Sequence, residues 1–184
     1  LLHSFLSPIA NQRKDEFGGS LENRMRFPLE VARAVRAVVP KSVPLGARIS
    51  ASDWLEGGWT IDDSIKLCRV LKIEGLEFIC TSSGGIRADT RTPAEVDNNA
   101  TLSEKIRRET GIATRAVGMI TDPEKAEEIV AKGQADQIAI GRGFLDDPHW
   151  GWHAAHALGA EVPRPKQYQR AAPKVWPGAA YRDQ

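Results

Sequence analysis

The chain has 184 residues, 41% of them hydrophobic, which is enough for one domain with a real core. With 25 Lys and Arg against 24 Asp and Glu, its formal charge is +1, so there is no electrostatic case for nucleic acid or an anionic membrane as partner. No apolar run approaches the roughly 20 residues that span a bilayer. Cys68 and Cys80 lack C-x-x-C spacing and read as reduced core thiols of a cytoplasmic protein, with no metal or redox role.

Leu1-Leu2-His3 has no helix cap or turn ahead of it, so the chain is expected to begin inside a larger domain. His3 is read as structural. Asn11, Arg13, Asp15, Glu22, Arg24 and Arg26 are read as a buried hydrogen-bond network that fixes this first loop. A helix is predicted over 21–39, with Ser20 as N-cap, Glu22 in the first turn, and Phe27, Val31, Ala34 and Val35 on one face. A strand is predicted over 43–50. One of its faces carries Leu45, Ala47 and Ile49, and the other Gly46, Arg48 and Ser50. An arginine among small residues would be costly in an ordinary core, but it suits an anionic ligand at the strand's carboxyl end.

Further helices are predicted over 61–71, 102–110 and 123–132, and further strands over 76–82, 112–118 and 136–141. Strand starts at 43, 76, 112 and 136 leave room for right-handed βαβ crossovers, hence an α/β fold with about four parallel strands. The conspicuous loops, 51–59 with Trp54 and 83–100, both follow strands, so function is expected at the strands' carboxyl face. Ser82-Ser83-Gly84-Gly85 reads equally as a plain turn or as small residues beneath an approaching ring. His149, His153 and His156 have helical spacing, but no third ligand or carboxylate scaffold is evident, so no metal site is expected. Residues 1–162 form the α/β part; 163–184, rich in Pro and basic residues near its start, is expected to be an extended tail.

Two strand ends carry a phosphate signal. Ile138-Ala139-Ile140 runs into Gly141-Arg142-Gly143, and Ala116-Val117-Gly118-Met119 has a similar layout one βα unit earlier. Glycine there leaves backbone N–H groups uncovered while Arg142 adds charge. Adjacent strand ends of this kind match the phosphate site made by the last two βα loops of a (β/α)8 barrel. Four parallel strands are then either a small open sheet or the second half of such a barrel.

Read together, the motifs resemble the old yellow enzyme family of FMN-dependent ene-reductases, its bacterial branch above all. The resemblance rests on Leu2-His3-Ser4-Phe5-Leu6-Ser7-Pro8, then Asn11-x-Arg13-x-Asp15-x-Phe17-Gly18-Gly19-Ser20-x-Glu22-Asn23-Arg24-x-Arg26-Phe27. It continues through Ala47-Arg48-Ile49-Ser50-Ala51-Ser52-Asp53, Ala116 to Ile120, Ile140-Gly141-Arg142 and Gln167-Tyr168-x-Arg170. Phe17 stands where tyrosine is more usual.

The resemblance implies the carboxyl-terminal half of a (β/α)8 TIM barrel, with FMN across the carboxyl end of the strands. It implies NADPH or NADH as reductant, and an activated alkene that receives hydride at its β-carbon. By position, Arg48 would neighbour the flavin edge, Gly118, Gly141 and Arg142 would hold its phosphate, and Arg170 would reach a neighbouring subunit of a homo-oligomer. The family's histidine pair and proton-donating tyrosine would precede Leu1, so no catalytic residue is assigned here and the chain alone is expected to be inactive. Two other readings stay open: a flavin-free phosphate-binding barrel enzyme, and a non-catalytic half-barrel that serves as an assembly module.

Overall fold

Four short strands alternate with helices, three of which have an explicit side-chain start. The computed structural model describes residues 1–88 and 97–178. In order it has α1 (Leu2–Leu6), α2 (Leu21–Val38), β1 (Gly46–Ser50), α3 (Ile61–Ile73), β2 (Phe78–Ser82) and α4 (Asp97–Thr110). Then come β3 (Ala113–Val117), α5 (Pro123–Ala131), β4 (Gln137–Ala139), α6 (Arg142–Asp146), α7 (Trp150–Ala157) and a 3-10 segment (Lys166–Ala171). Ser20 caps α2 by accepting from the Asn23 N–H, Thr60 and Asp63 form a capping box on α3, and Asp122 with Pro123 opens α5.

The strands pair in the order β1-β2-β3-β4, all parallel, with Arg48 opposite Cys80, Cys80 opposite Arg115 and Arg115 opposite Gln137. This is the α/β arrangement expected, four parallel strands joined by helical crossovers. The helix-facing side of the sheet forms two cores. Ile49 and Ile79 pack with Leu67, Leu71 and Ile106, while Ala116 packs with Ala126 and Ile129. By alternation, Arg48, Phe78, Cys80, Arg115, Val117, Gln137 and Ala139 lie on the opposite, inward side. Ion pairs lace the helices outside: Arg33 to Glu74 at 2.6 Å, Lys105 to Asp62 at 2.9 Å and Arg107 to Asp136 at 3.0 Å.

Several sequence expectations shift. The strands are shorter than predicted because parallel pairing needs a partner on the next strand, and the first ladder begins only at Gly46 opposite Phe78. Helix α4 starts at Asp97, five residues earlier than predicted, so the loop after β2 is correspondingly shorter. On α2 the buried residues are Met25, Pro28 and Leu29; Ala34 and Val35 are exposed. The stripe containing Val31 and Val35 faces a groove beside β1 that no strand of the sheet fills. The expected extended tail contains the 3-10 turn Lys166–Ala171, where Tyr168 meets Trp152 with ring centroids 5.2 Å apart. The reading of 179–184 as tail lies outside the described residues.

On the inward side, Phe78 covers Gly46 so closely that a Cβ there would fall 2.5 Å from the ring. Gly46→Ala is therefore expected to destabilise the fold by roughly 1–3 kcal/mol through overpacking. The double variant with Phe78→Leu should recover much of that loss. Urea unfolding of the three variants checks this, and additive losses would show that the ring is not what excludes the methyl.

Candidate functional site at the carboxyl rim

Parallel pairing puts the carboxyl ends of all four strands on one rim, and there the side chains singled out from sequence come together. Arg48, Gly118, Gly141 and Arg142 line a single cavity of about 720 Å³, together with Ser82, Met119 and Asp146. Arg48 is exposed on the inward side and donates from Nη2 to Ser82 Oγ at 3.2 Å. No carboxylate among the described residues lies within ion-pair distance of it, so its charge remains available to the cavity. A Cβ built on Gly141 meets nothing within 4 Å, so its backbone stands open to the cavity.

Gly118 is required for a local reason. Its φ is +121°, and a Cβ there would fall 2.7 Å from Asn99 Nδ2. Asn99 braces two strand ends: Nδ2 donates to the Val117 carbonyl at 2.7 Å, and Oδ1 accepts from Ser83 Oγ at 2.7 Å. Met119 follows with φ +55°, rare for a residue with a side chain, and is largely exposed. Sequence reasoning missed Asn99 because it fell inside the predicted loop 83–100. An asparagine just ahead of an apolar helical stripe is the signal that could have found it.

A second polar knot underlies the rim. Asp53, fully buried, accepts from Ser7 Oγ at 2.7 Å and from the Trp59 N–H at 2.8 Å, and His3 Nε2 lies 2.7 Å from its Oδ1. Trp59 Nε1 in turn donates to Ser64 Oγ at 2.6 Å. His3 thus ties α1 to the loop after β1, the structural role expected of it. Burial alone would push the Asp53 carboxyl up, yet the hydrogen bonds from His3, Ser7 and the Trp59 amide outweigh it and hold the group below the usual carboxylate range.

The opening polar set is mostly at the surface, a correction to the buried network expected. Asn11 alone is buried, donating to the Phe5 and Phe17 carbonyls at 2.7 Å. Arg24 donates to the Leu6 carbonyl and Arg26 to the Glu16 carbonyl, both at 2.8 Å, while Arg13 pairs with Asp15. These groups do hold the turn, but a guanidinium can reach a surface carbonyl without giving up its hydration. Elsewhere, burial pushes the Cys68 thiol up to about 12, leaving it inert, and both cysteines are free. His153 Nδ1 lies 2.6 Å from Asp147 Oδ2, and His149 stacks on Trp152 with centroids 4.5 Å apart. Arg170 is exposed on the 3-10 segment and is not among the residues lining the rim cavity. No helix among the described residues is long and apolar enough to cross a membrane.

Parallel βα units whose following loops gather at one carboxyl rim define the α/β-barrel class. The chain belongs to the NADH:flavin oxidoreductase / NADH oxidase family, whose model matches residues 1–161. This is the old yellow enzyme family indicated by the opening motif, an enzyme family whose cofactors are FMN and NAD(P)H. Among similar proteins, the NADPH dehydrogenase of Bacillus subtilis is 44% identical over 171 residues, covering 92% of this chain and 49% of that protein. That of Geobacillus thermodenitrificans is 42% identical over 174 residues, with the same coverage of 92% and 49%. Of solved structures, morphinone reductase matches with TM-score 0.66 and 28% identity over 90% of this chain and 43% of its own. A 2-naphthoyl-CoA reductase complex matches with TM-score 0.71 and 26% identity over 87% of this chain and 25% of its own. The chain spans about half the length of the curated relatives it matches.

Asp53→Ala would leave the Ser7 hydroxyl and Trp59 amide buried without an acceptor, costing roughly 1–3 kcal/mol for each. Because the folded carboxyl sits below its ordinary value, the stability that its ionised form contributes is complete above the unfolded value of about 3.9. It is lost as pH falls through the lower, folded value. Denaturant unfolding should therefore show a gap between wild type and variant that is full at neutral pH and narrows below about pH 4. A gap that widens on acidification would contradict the assignment.

Proposed function

We propose that this chain is the flavin-phosphate half of an FMN-dependent, NAD(P)H-driven ene-reductase, and that it acts only together with the other half of a barrel. One observation carries the reading: Arg48, Gly118, Gly141 and Arg142, separated by up to 94 positions in sequence, line one cavity. Bound there, FMN supplies hydride transfer from a nicotinamide to the β-carbon of an activated alkene. The residues of this chain hold and tune. Backbone amides at Gly118 and Gly141 are uncovered for a phosphate, Arg142 adds its charge, and Arg48 offers a fixed guanidinium to negative charge on a ring in the cavity. Asn99 keeps the β3 end in the shape that exposes those amides.

The Arg170 side chain, exposed on the tail, supports a homo-oligomer in which it reaches a neighbouring subunit. Two free, buried cysteines suit the reducing cytoplasm. None of the residues of this chain is assigned the proton donor or the substrate anchor. Those roles fall to groups that polarise the alkene's carbonyl and deliver the α-proton from the complementary half.

The 184-residue chain alone is expected neither to retain FMN tightly nor to oxidise NADPH. Micromolar FMN binding with NADPH-driven bleaching of the flavin band would overturn that. Fused to the portion of the Bacillus subtilis NADPH dehydrogenase that it does not match, it should become yellow and reduce a cyclic enone. In that fusion, Arg142→Gln removes a charge-assisted bond worth roughly 1.5–3 kcal/mol, so FMN should bind about 10- to 100-fold more weakly while riboflavin, lacking the phosphate, is unaffected. Equal losses for both flavins would sink the phosphate assignment.

A further inference from the structure

The last ladder ends at Val117 opposite Ala139, so strand pairing does not reach the two glycine turns that line the rim cavity. A phosphate held by both turns needs the distance between them fixed by something else. The β3 turn is strained as well: Gly118 at φ +121° and Met119 at φ +55° leave the usual regions in succession. Backbone of this kind persists where its surroundings hold it.

Two side chains grip that turn, one at each end. Asn99 Nδ2, from α4, donates to the Val117 carbonyl at 2.7 Å. Trp150 Nε1, from the first residue of α7, donates to the Thr121 carbonyl at 2.7 Å across 29 positions of sequence. The Trp150 ring packs on the core that contains Ile120 and Ala126, and it meets Phe144 of α6 with ring centroids 6.0 Å apart. Helix α6 needs such support. It has five residues, none buried and with no side-chain cap, yet it carries Arg142. Its own anchor is Gly143, where a Cβ would fall 2.8 Å from Ile140 Cγ2 and 3.2 Å from Thr121 Cγ2. Just beyond it, Asp147 Oδ2 lies 2.6 Å from His153 Nδ1, which fastens the end of α6 to α7.

We propose that Trp150 is a positioning residue for the flavin phosphate. Its N–H holds the β3 turn and its ring holds α6, so one indole sets the span between the Gly118 amide on one side and Gly141 with Arg142 on the other. Trp150 is not among the residues lining the cavity, and it acts through those that are. This role rests on the phosphate reading of the rim and adds to it a residue outside the cavity. Phenylalanine at this position would keep a ring on the core while removing the donor, which leaves the Thr121 carbonyl unheld.

Two measurements test this. In the 184-residue chain without flavin, Trp150→Phe should speed amide hydrogen exchange at both 118–121 and 141–146 while leaving the β1–β2 ladder as protected as before. In the fusion with the Bacillus subtilis portion, the same variant should bind FMN about three- to tenfold more weakly, the effect of one lost hydrogen bond, and riboflavin as before. Phe144→Leu, at an exposed position, removes the ring contact without touching the indole bond and should repeat the selective loss. A merely structural role would weaken both flavins alike. Arg142→Gln in the same fusion keeps the two ideas apart. If it loses FMN selectively while Trp150→Phe does not, the positioning role falls alone; if neither variant is selective, the phosphate reading falls with it. Exchange that stays unchanged at either turn also overturns the proposal.

Discussion

Parallel pairing is the constraint on which the rest depends. Each of the three ladders aligns one strand with the next in the same direction, so every strand ends at the same rim and every following loop begins there. Arg48 and Ser82 point inward from strands β1 and β2, while Gly118 and Gly141 stand just past β3 and β4. Had any one strand run antiparallel, its contribution to the cavity would sit at the other end of the sheet. The helices hold this alignment through the two cores, and the Asp53 knot holds the first loop down against it.

Support around the rim is of two kinds, and they differ in what they can tolerate. Around Asp53, three donors meet one buried carboxylate, an arrangement that is strong when complete and costly when any member is lost. Around Gly118, Asn99 crosses from α4 to the Val117 carbonyl and so depends on the glycine leaving room for it. The first kind stabilises the fold; the second shapes backbone at the cavity. Such division suits a site in which a rigid scaffold presents main-chain groups to a ligand.

The inward side differs from a usual core in composition. It carries Arg48, Arg115, Gln137 and small residues, with Phe78 folded over Gly46 as the one large apolar group. Among the described residues no ion pair compensates its charge, and no strand pairs with the outer edge of β1.

Much of this was legible without coordinates. The helix start at Ser20 is local chemistry, and the alternation Leu45, Ala47, Ile49 against Gly46, Arg48, Ser50 assigns the faces of β1 from period alone. The glycines after the last two strands, and the opening motif, pointed to the rim and the family. Contacts between distant segments were not legible. Asn99 reaching Val117, His3 reaching Asp53 and Phe78 covering Gly46 depend on which strands become neighbours and in what register. The buried stripe of α2 was misassigned for the same cause: period shows that a helix has an apolar face, but the neighbouring strand decides which residues of it are covered. The sequence alone thus determined the longer helices, the four strands, the direction of the sheet and the candidate ligand groups, since these follow from short-range preference. Tertiary structure alone decided their convergence on one cavity, because long-range pairing sets distances that no local pattern encodes.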